Sequence, residues 1–342
     1  MLPSDDSFDK RIKDYQTAIT ALCEIAESYY RLGKLDAAHD VLEAGGYLLE
    51  HAPEAGGYLP EHAPQQGPLG ETRAMLELQQ GKLNTTGGFY ANSRYEVAFV
   101  ALLRARDLAT ANGNETLTAD ALQWLGQAYY NRALNTSASM RAPGEDSYRQ
   151  PLDYFQQALS RREALADTRG MAESLFYTGL IYERWGQRDT AQDYYTKALA
   201  LAEEHGYAIE KSYALRHLAG LAQEAGDLEK ALAFFTESLA LREAAGYNIL
   251  LPLSHIAVGD VLLEQHKMAE AKVHYETAYA ISQELDAPLT RIVSLLSLGS
   301  WYKANREFAQ ARSYLERTYI SAQDLNIPMA MAAASKALNE LA

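Results

Sequence analysis

Apolar and small residues recur along most of this chain at the three- and four-residue spacings of an amphipathic α-helix. In the segment 176–199, for example, Gly179, Ala191, Tyr195 and Ala198 fall where two consecutive helices would face each other. A turn with Gly186 separates the two halves of the segment. The pattern therefore predicts a pair of antiparallel helices.

The same pattern returns without gaps at intervals of 40 residues. Twelve residues after each small residue comes an alanine, and a large and then a small residue follow four and seven positions later. The small residues are Gly179, Ala219, Gly259 and Gly299; the alanines are Ala191, Ala231, Ala271 and Ala311; the later pairs are Tyr195/Ala198, Phe235/Ser238, Tyr275/Ala278 and Leu315/Thr318. A fixed period of this length is typical of stacked helical repeats.

This spacing resembles the tetratricopeptide repeat, in the longer 40-residue version found in kinesin light chains, Pins-type adaptors and bacterial peptide-sensing regulators. The resemblance implies an all-α fold, a right-handed α-α superhelical solenoid of about seven helical hairpins plus a C-terminal capping helix. We expect a single domain over residues 1–342, with repeats at about 8–53, 65–113, 114–167, 168–206, 207–246, 247–286 and 287–326, and the capping helix at 328–341.

Residues suited to ending helices agree with this division. Each second helix is predicted to end at a residue that tolerates the left-handed conformation, namely Gly206, Gly246, Asp286 or Asn326. The turns inside the hairpins carry Gly186 and Gly226, but His266 and Arg306 in the next two repeats. Pro151 fits a helix only within its first turn, so we place that helix start near residue 150.

Three segments interrupt the period. Residues 43–53 are repeated almost unchanged at 54–64, and we interpret one copy as a tolerated insertion, either a loop or a helix extension. Segments 83–95 and 134–148 lengthen the turns of the second and third hairpins, where we predict loops that project from one edge. These loops are either a contact surface or simple connections.

Composition and charge restrict the partners. The formal net charge of -14 opposes binding to nucleic acid. A single cysteine, Cys23, excludes an internal disulfide bond, and the acidic N-terminus with no long apolar run predicts a cytoplasmic protein outside the membrane. No metal-ligand spacing, phosphate loop or nucleophile motif is present, so we expect no cofactor, no metal and no enzymatic activity.

The resemblance also implies where a partner would bind. In tetratricopeptide arrays the first helices line a concave groove, and the corresponding residues here are Glu173, Phe176, Leu180, Glu183, Tyr213, Arg216, Glu224, Ile256, Asp260, Leu263, Glu264 and Lys303. Positions that would clamp a terminal carboxylate in chaperone-binding members carry mostly acidic or aromatic residues here, so that clamp is absent. The apolar residues flanked by carboxylates favour an amphipathic or mildly basic segment, although part of this apolar strip would equally suit packing within the array.

Two hypotheses about function follow. The first is a non-catalytic adaptor or scaffold that holds a protein or peptide segment in the groove, in an oligomeric state that the sequence does not define. The second is a regulatory sensor that responds to a peptide or small molecule, alone or as the repeat part of a larger signalling regulator. An enzyme with a site in the projecting loops is a third, less favoured alternative.

Overall fold

The computed structural model describes residues 5–52, 69–91, 94–136 and 146–341, and in these ranges it contains helices and no strand. The chain divides into two compact units. The first holds the described residues of 5–88, 94–131 and 147–170, and the second holds those of 89–91, 132–136, 146 and 171–341. None of the described helices is long and apolar enough to cross a membrane.

The helices follow one another in antiparallel pairs. Up to Ala164 they are α1 (Asp5–Arg31), α2 (Leu35–Glu50), α3 (Gly70–Ala91), α4 (Tyr95–Ala111), α5 (Glu115–Thr136) and α6 (Arg149–Ala164). From Thr168 they are α7 (Thr168–Arg184), α8 (Arg188–His205), α9 (Ala208–Glu224), α10 (Leu228–Ala244), α11 (Leu251–Glu264), α12 (Met268–Glu284), α13 (Pro288–Ala304), α14 (Phe308–Asp324) and α15 (Pro328–Asn339). The all-α class and the helical-hairpin repeat are thus confirmed, and α15 lies where the capping helix was predicted.

In the hairpins of α7–α8 and α11–α12, a tyrosine of the second helix lies directly on a glycine of the first. A Cβ atom added to Gly259 would stand 2.6 Å from Cε1 of Tyr275, and one on Gly179 would stand 2.6 Å from Cε1 of Tyr195. Both tyrosines are fully buried. The missing Cβ of each glycine thus gives the ring its place within its own hairpin.

Turns at both ends of the second helices adopt the left-handed conformation at 40-residue intervals. Gly206, Gly246, Asp286 and Asn326 have φ values of 72°, 64°, 45° and 52°, which confirms the predicted helix ends. The turns inside the last two hairpins also keep this conformation, with φ of 60° at His266 and 61° at Arg306. In the hairpin of α7 and α8, the amide of Gln187 donates to the carbonyl of Tyr182 at 2.9 Å and satisfies the helix end.

The lengthened segments are helical where the structure describes them. The loop predicted for 83–95 is wrong, because α3 continues to Ala91 and α4 begins at Tyr95. Continuing the helix satisfies the backbone groups of the added residues internally, and Leu83, Asn84 and Thr86 are buried. Likewise α5 continues to Thr136, and residues 137–145 of the second predicted loop lie outside the described residues.

The first copy of the duplicated segment, residues 43–53, contributes the end of α2, which runs to Glu50. Leu49 is buried there in the core of the first unit, and Gly45 lies so close to Leu76 of α3 that a Cβ would stand 3.1 Å from its Cδ1 atom. The second copy lies outside the described residues. The helix start near residue 150 is confirmed, since α6 begins at Arg149 and Pro151 is in its first turn.

We predict that Gly259→Ala lowers the thermal unfolding midpoint of the full chain and that Gly220→Ala raises it. Crowding of the kind expected against Tyr275 costs about 1–3 kcal/mol, more than the roughly 0.8–1 kcal/mol that alanine gains over glycine in a helix. A Cβ on Gly220 meets nothing within 4 Å, so only the gain remains there. Melting followed by circular dichroism tests both variants, and shifts in the same direction would contradict this packing.

We also predict that His266→Gly stabilises the chain by about 1 kcal/mol, because a residue with a Cβ pays about 1–2 kcal/mol in the left-handed conformation. His266 is exposed, so little else changes. Gly226→Ala, at the equivalent turn with φ 82° and open space around the added Cβ, is the reciprocal variant and should destabilise by a similar amount. Unchanged melting midpoints in both variants would show that these turns relax at no cost.

Candidate functional site on the first helices of the second unit

The residues predicted to line a groove lie on α7, α9, α11 and α13, the first helices of the four hairpins in the second unit. Their exposure differs. Phe176, Leu180 and Ile256 are buried, whereas Glu224 and Glu264 are exposed. The others are half-buried: Glu173, Glu183, Tyr213, Arg216, Asp260, Leu263 and Lys303. The deepest apolar residues of the predicted strip are therefore part of the core, and the accessible surface is mainly polar with aliphatic patches.

Phe176 forms the centre of an aromatic cluster that joins α7 to α9. Its ring stacks on Tyr213 at a centroid distance of 5.3 Å and meets the edge of His217 at 5.2 Å. Tyr195 of α8 closes the cluster at 5.8 Å. Aromatic pairs at these distances contribute about 0.5–1.5 kcal/mol beyond their buried area. Phe176 therefore holds two hairpins together. For this residue, packing within the array describes its contacts better than an open binding surface does.

Glu183 is the most strongly held carboxylate of the predicted set. One of its oxygens, Oε2, accepts hydrogen bonds from the Tyr195 hydroxyl at 2.6 Å and from Nδ1 of His217 at 2.9 Å. Burial by itself would raise the pKa of Glu183, but His217 and Tyr195 together lower that pKa to about 2. Burial lowers the pKa of His217, which Glu183 only partly offsets. At pH 7 the pair is therefore an ionised carboxylate and a neutral imidazole, whose Nδ1–H donates a hydrogen bond to the carboxylate.

His217 was missed by the sequence reading, which named its neighbour Arg216. It stands two residues before the small position of α9 and so faces the preceding hairpin rather than the open groove. The available signal was the unusual histidine at a place where the other regular hairpins carry Tyr177, Ala257 and Ser297. Comparing equivalent positions across the repeats would have singled out this histidine, whereas the spacing pattern alone does not.

Asp260 lies on α11, where its carboxylate accepts a hydrogen bond from the Tyr275 hydroxyl at 2.8 Å. Burial raises the pKa of Asp260 to about 6; the Tyr275 hydrogen bond and the charge of Arg216 oppose this rise, and the charge of Glu264 adds to it. Glu264 accepts a hydrogen bond from the side-chain amide of Gln223 at 2.6 Å, which links α9 to α11. The charges of Arg216 and Glu264 thus both act on the Asp260 carboxylate.

The two outer residues of the predicted set make contacts of another kind. Glu224 forms an ion pair with Arg188 of α8 at 2.9 Å, and Lys303 forms a short ion pair with Glu340 next to α15. Exposed pairs of this kind are worth about 0–1 kcal/mol and exchange partners easily. Half-buried aliphatic side chains lie on the helix of the central carboxylates and on the next first helix: Leu253 and Leu263 on α11, and Val293 and Leu296 on α13.

The arrangement offers recognition chemistry: carboxylate oxygens of α11, a guanidinium of α9, and aliphatic surface on α11 and α13. Such a surface can bind apolar side chains and pair with a cationic group.

The lone thiol, Cys23, lies elsewhere, buried in α1 of the first unit, where burial raises its pKa to about 11. A thiol of that pKa is protonated at neutral pH and is a packing residue.

Comparison with known proteins supports the repeat assignment. Residues 172–205, which comprise most of α7 and α8, match the family model described as tetratricopeptide repeat. No curated protein matches the sequence.

Three solved structures are similar in fold. BtubC (BKLC) from P. vanneervenii is 20% identical with a TM-score of 0.53, over 68% of this chain and 91% of that chain. Aspartyl phosphate phosphatase F from Bacillus subtilis is 12% identical with a TM-score of 0.51, over 100% and 95%. The Rap conjugation gene regulator of the plasmid pLS20, in complex with the Phr* peptide, is 14% identical with a TM-score of 0.55, over 94% and 95%.

At these identities the likeness concerns the fold alone. The α7–α8 hairpin nevertheless matches the family model at the residues whose spacing suggested it, and the later hairpins repeat that spacing at 40-residue intervals. The resemblance drawn from the sequence is therefore confirmed: residues 172–205 match the tetratricopeptide-repeat model, and the hairpins that follow α8 keep the same spacing.

Proposed function

We propose that the chain binds a peptide, or an extended segment of another protein, on the groove side of α7, α9, α11 and α13. The observation that carries this proposal is the combination of Asp260 and Glu264 with half-exposed aliphatic residues on the same and the next first helix. A ligand with one basic and several apolar side chains complements this surface. The similar structure of the Rap regulator with its Phr* peptide supports a peptide as the ligand class.

A sensor role is the second candidate, and a specific contact favours it. The hydrogen bonds between successive first helices, from His217 to Glu183 and from Gln223 to Glu264, are both accepted by carboxylates of the predicted groove set. A ligand that takes over one of these carboxylates would weaken the bond between two hairpins and change their preferred angle. The adaptor and the sensor therefore share one binding surface and differ in whether binding changes the conformation, which solution scattering with and without ligand would measure.

Catalysis is the third possibility, and we propose that the chain lacks it. One similar fold is named a phosphatase, but at 12% identity this concerns the fold alone. The Glu183–His217 pair has the composition of an acid–base pair, yet Glu183 also holds Tyr195 and the pair lies against the Phe176 cluster. These contacts are those of a structural link between α7 and α9.

We predict that Glu264→Lys weakens binding of a basic peptide about tenfold, or about 1.4 kcal/mol. Random dodecapeptides displayed on phage and selected on the full chain at pH 7.4 would supply the ligand, and fluorescence anisotropy would give the dissociation constant. Glu316→Lys, the same charge change at an exposed position of the second helix α14, is the matched control and should leave affinity within twofold. Absence of any enriched peptide, or equal losses in the two variants, would refute binding in the groove.

We further predict that the affinity for the selected basic peptide falls between pH 7.5 and pH 5. Asp260 has a pKa raised to about 6, so it is mostly ionised at the higher pH and mostly protonated at the lower one. Losing this charge removes an attraction for a lysine or arginine of the peptide. Asp260→Asn should bind more weakly at pH 7.5 and should lose most of the pH dependence, which a histidine-free peptide would isolate. A pH dependence that is unchanged in Asp260→Asn would show that a group other than Asp260 causes it.

A further inference from the structure

The hairpin of α11 and α12 departs from its neighbours at two positions whose side chains meet. His255 on α11 stands where the other regular hairpins carry leucine, and His274 on α12 stands where they carry an aromatic residue. The equivalent residues are Leu175, Leu215 and Leu295 for the first position, and Tyr194, Phe234 and Tyr314 for the second. Two apolar residues of the repeat are thus replaced by two imidazoles in a single hairpin.

The two imidazoles are joined by a hydrogen bond between like atoms. Nδ1 of His255 lies 2.9 Å from Nδ1 of His274, with the ring centroids 5.2 Å apart. A neutral imidazole carries one N–H and one bare nitrogen, so one Nδ1 donates its hydrogen and the other accepts it. This hydrogen bond therefore holds α11 to α12 only while the accepting nitrogen stays unprotonated.

This geometry limits how many protons the closed hairpin can take up. The donor ring can be protonated on its Nε2 atom and still donate through Nδ1. A second proton would have to go to the accepting Nδ1, where two N–H groups would point at each other between two positively charged rings. The closed contact thus accepts at most one added proton, whereas two separated imidazoles accept one each.

Burial opposes even the first of these protons. Burial, with a smaller effect from His274, lowers the pKa of His255 to about 4, and burial also lowers the pKa of His274. Two exposed glutamates stand nearby: Glu243, at the end of α10, has Oε1 3.9 Å from Nε2 of His255, and Glu270 precedes His274 by four residues on α12. Their charges raise the pKa of His274, but burial has the larger effect. Both imidazoles are therefore neutral at pH 7.

The pair lies next to the contact that sets the separation of the two helices. Gly259 follows His255 by four residues on α11, and Tyr275 is the neighbour of His274 on α12. Tyr275 packs on Gly259 and donates a hydrogen bond to Asp260. Breaking the hydrogen bond between the imidazoles therefore weakens this packing at the place where α11 carries the Asp260 carboxylate.

We infer that the His255–His274 contact is proton-sensitive, so that it holds α11 against α12 at neutral pH and lets the hairpin open in mild acid. The open hairpin binds at least one more proton than the closed one, and acid therefore shifts the equilibrium toward the open form. For one excluded proton of a histidine with its ordinary pKa, this shift is about 30-fold between pH 7.5 and pH 5. The inference concerns the hairpin itself and does not depend on peptide binding.

Asp260 titrates in the same range, but its effect has the opposite sign. Burial raises the pKa of Asp260 to about 6 in the folded hairpin, above the ordinary value of 3.8. The closed form therefore gains protons at this residue in mild acid and is favoured by them. His217 on α9, whose pKa burial also lowers, is present in every variant described below and contributes equally to each. A loss of stability in acid that depends on the two imidazoles is thus distinguishable from both.

Hydrogen exchange of the full chain, followed by mass spectrometry on peptides of α11 and α12, tests this contact. After correction for the intrinsic exchange rate, the protection of these peptides should fall about 30-fold or more from pH 7.5 to pH 5 in the wild type. The double variant His255→Leu/His274→Tyr restores the residues of the neighbouring hairpins and should lose this fall. His205→Leu, which removes an exposed imidazole from the end of α8, is the matched control and should keep it.

A second measurement does not require the double variant to fold. Long-range ¹H–¹⁵N spectra of the wild type report the protonation of each imidazole, and His255 and His274 together should take up no more than one proton while the hairpin stays protected. Undiminished protection of the wild type at pH 5, an equal fall in the double variant, or two charged rings within a protected hairpin would overturn the inference.

Discussion

The direct packing of a tyrosine ring on a glycine is the contact on which the geometry of these hairpins depends. Tyr275 lies over Gly259 and Tyr195 over Gly179, and in each case a single Cβ would intrude to 2.6 Å. Because the two helices can approach only where this volume is missing, the contact fixes their separation and their register. The same rings reach across the hairpin with their hydroxyl groups, which donate to Glu183 and Asp260 on the groove side. One packing contact thus also orients two carboxylates of the candidate site.

Because of such contacts, several carboxylates of the candidate site already accept hydrogen bonds within the protein. Glu183 is held by Tyr195 and His217, and Glu264 by Gln223 of the preceding first helix. A carboxylate that already accepts hydrogen bonds is stabilised in its ionised form and has less to gain from a ligand. Asp260 is different, since burial dominates and raises its pKa to about 6. The groove therefore combines carboxylates that link hairpins with one whose charge state responds to mild acidity.

The repeat and its helix ends could be predicted because they depend on local rules. The spacing of Gly179 and Ala191, and the left-handed residues Gly206 and Asn326, follow from volume and backbone preference alone. The side-chain network could not, because it depends on which residues of different helices meet. His217 faces the preceding hairpin, and Phe176 is a buried joint rather than an open surface. The loop predicted at 83–95 failed for a related reason: Asn84 to Thr86 looked like turn residues, but the interior of the first unit accepts their polar side chains within a helix.

Departures from the repeat are more informative than the repeat itself. At the position of Leu175, Leu215 and Leu295 a histidine fits only if its second polar atom finds a partner, because an unpaired buried donor costs about 1–3 kcal/mol. The matching change to His274 on the opposite helix supplies that partner, and it does so with a nitrogen rather than with an oxygen that would accept more readily. Two neutral imidazoles share a single proton across this contact. The pair of substitutions thus exchanges an apolar contact inside the hairpin for a hydrogen bond that joins its two helices.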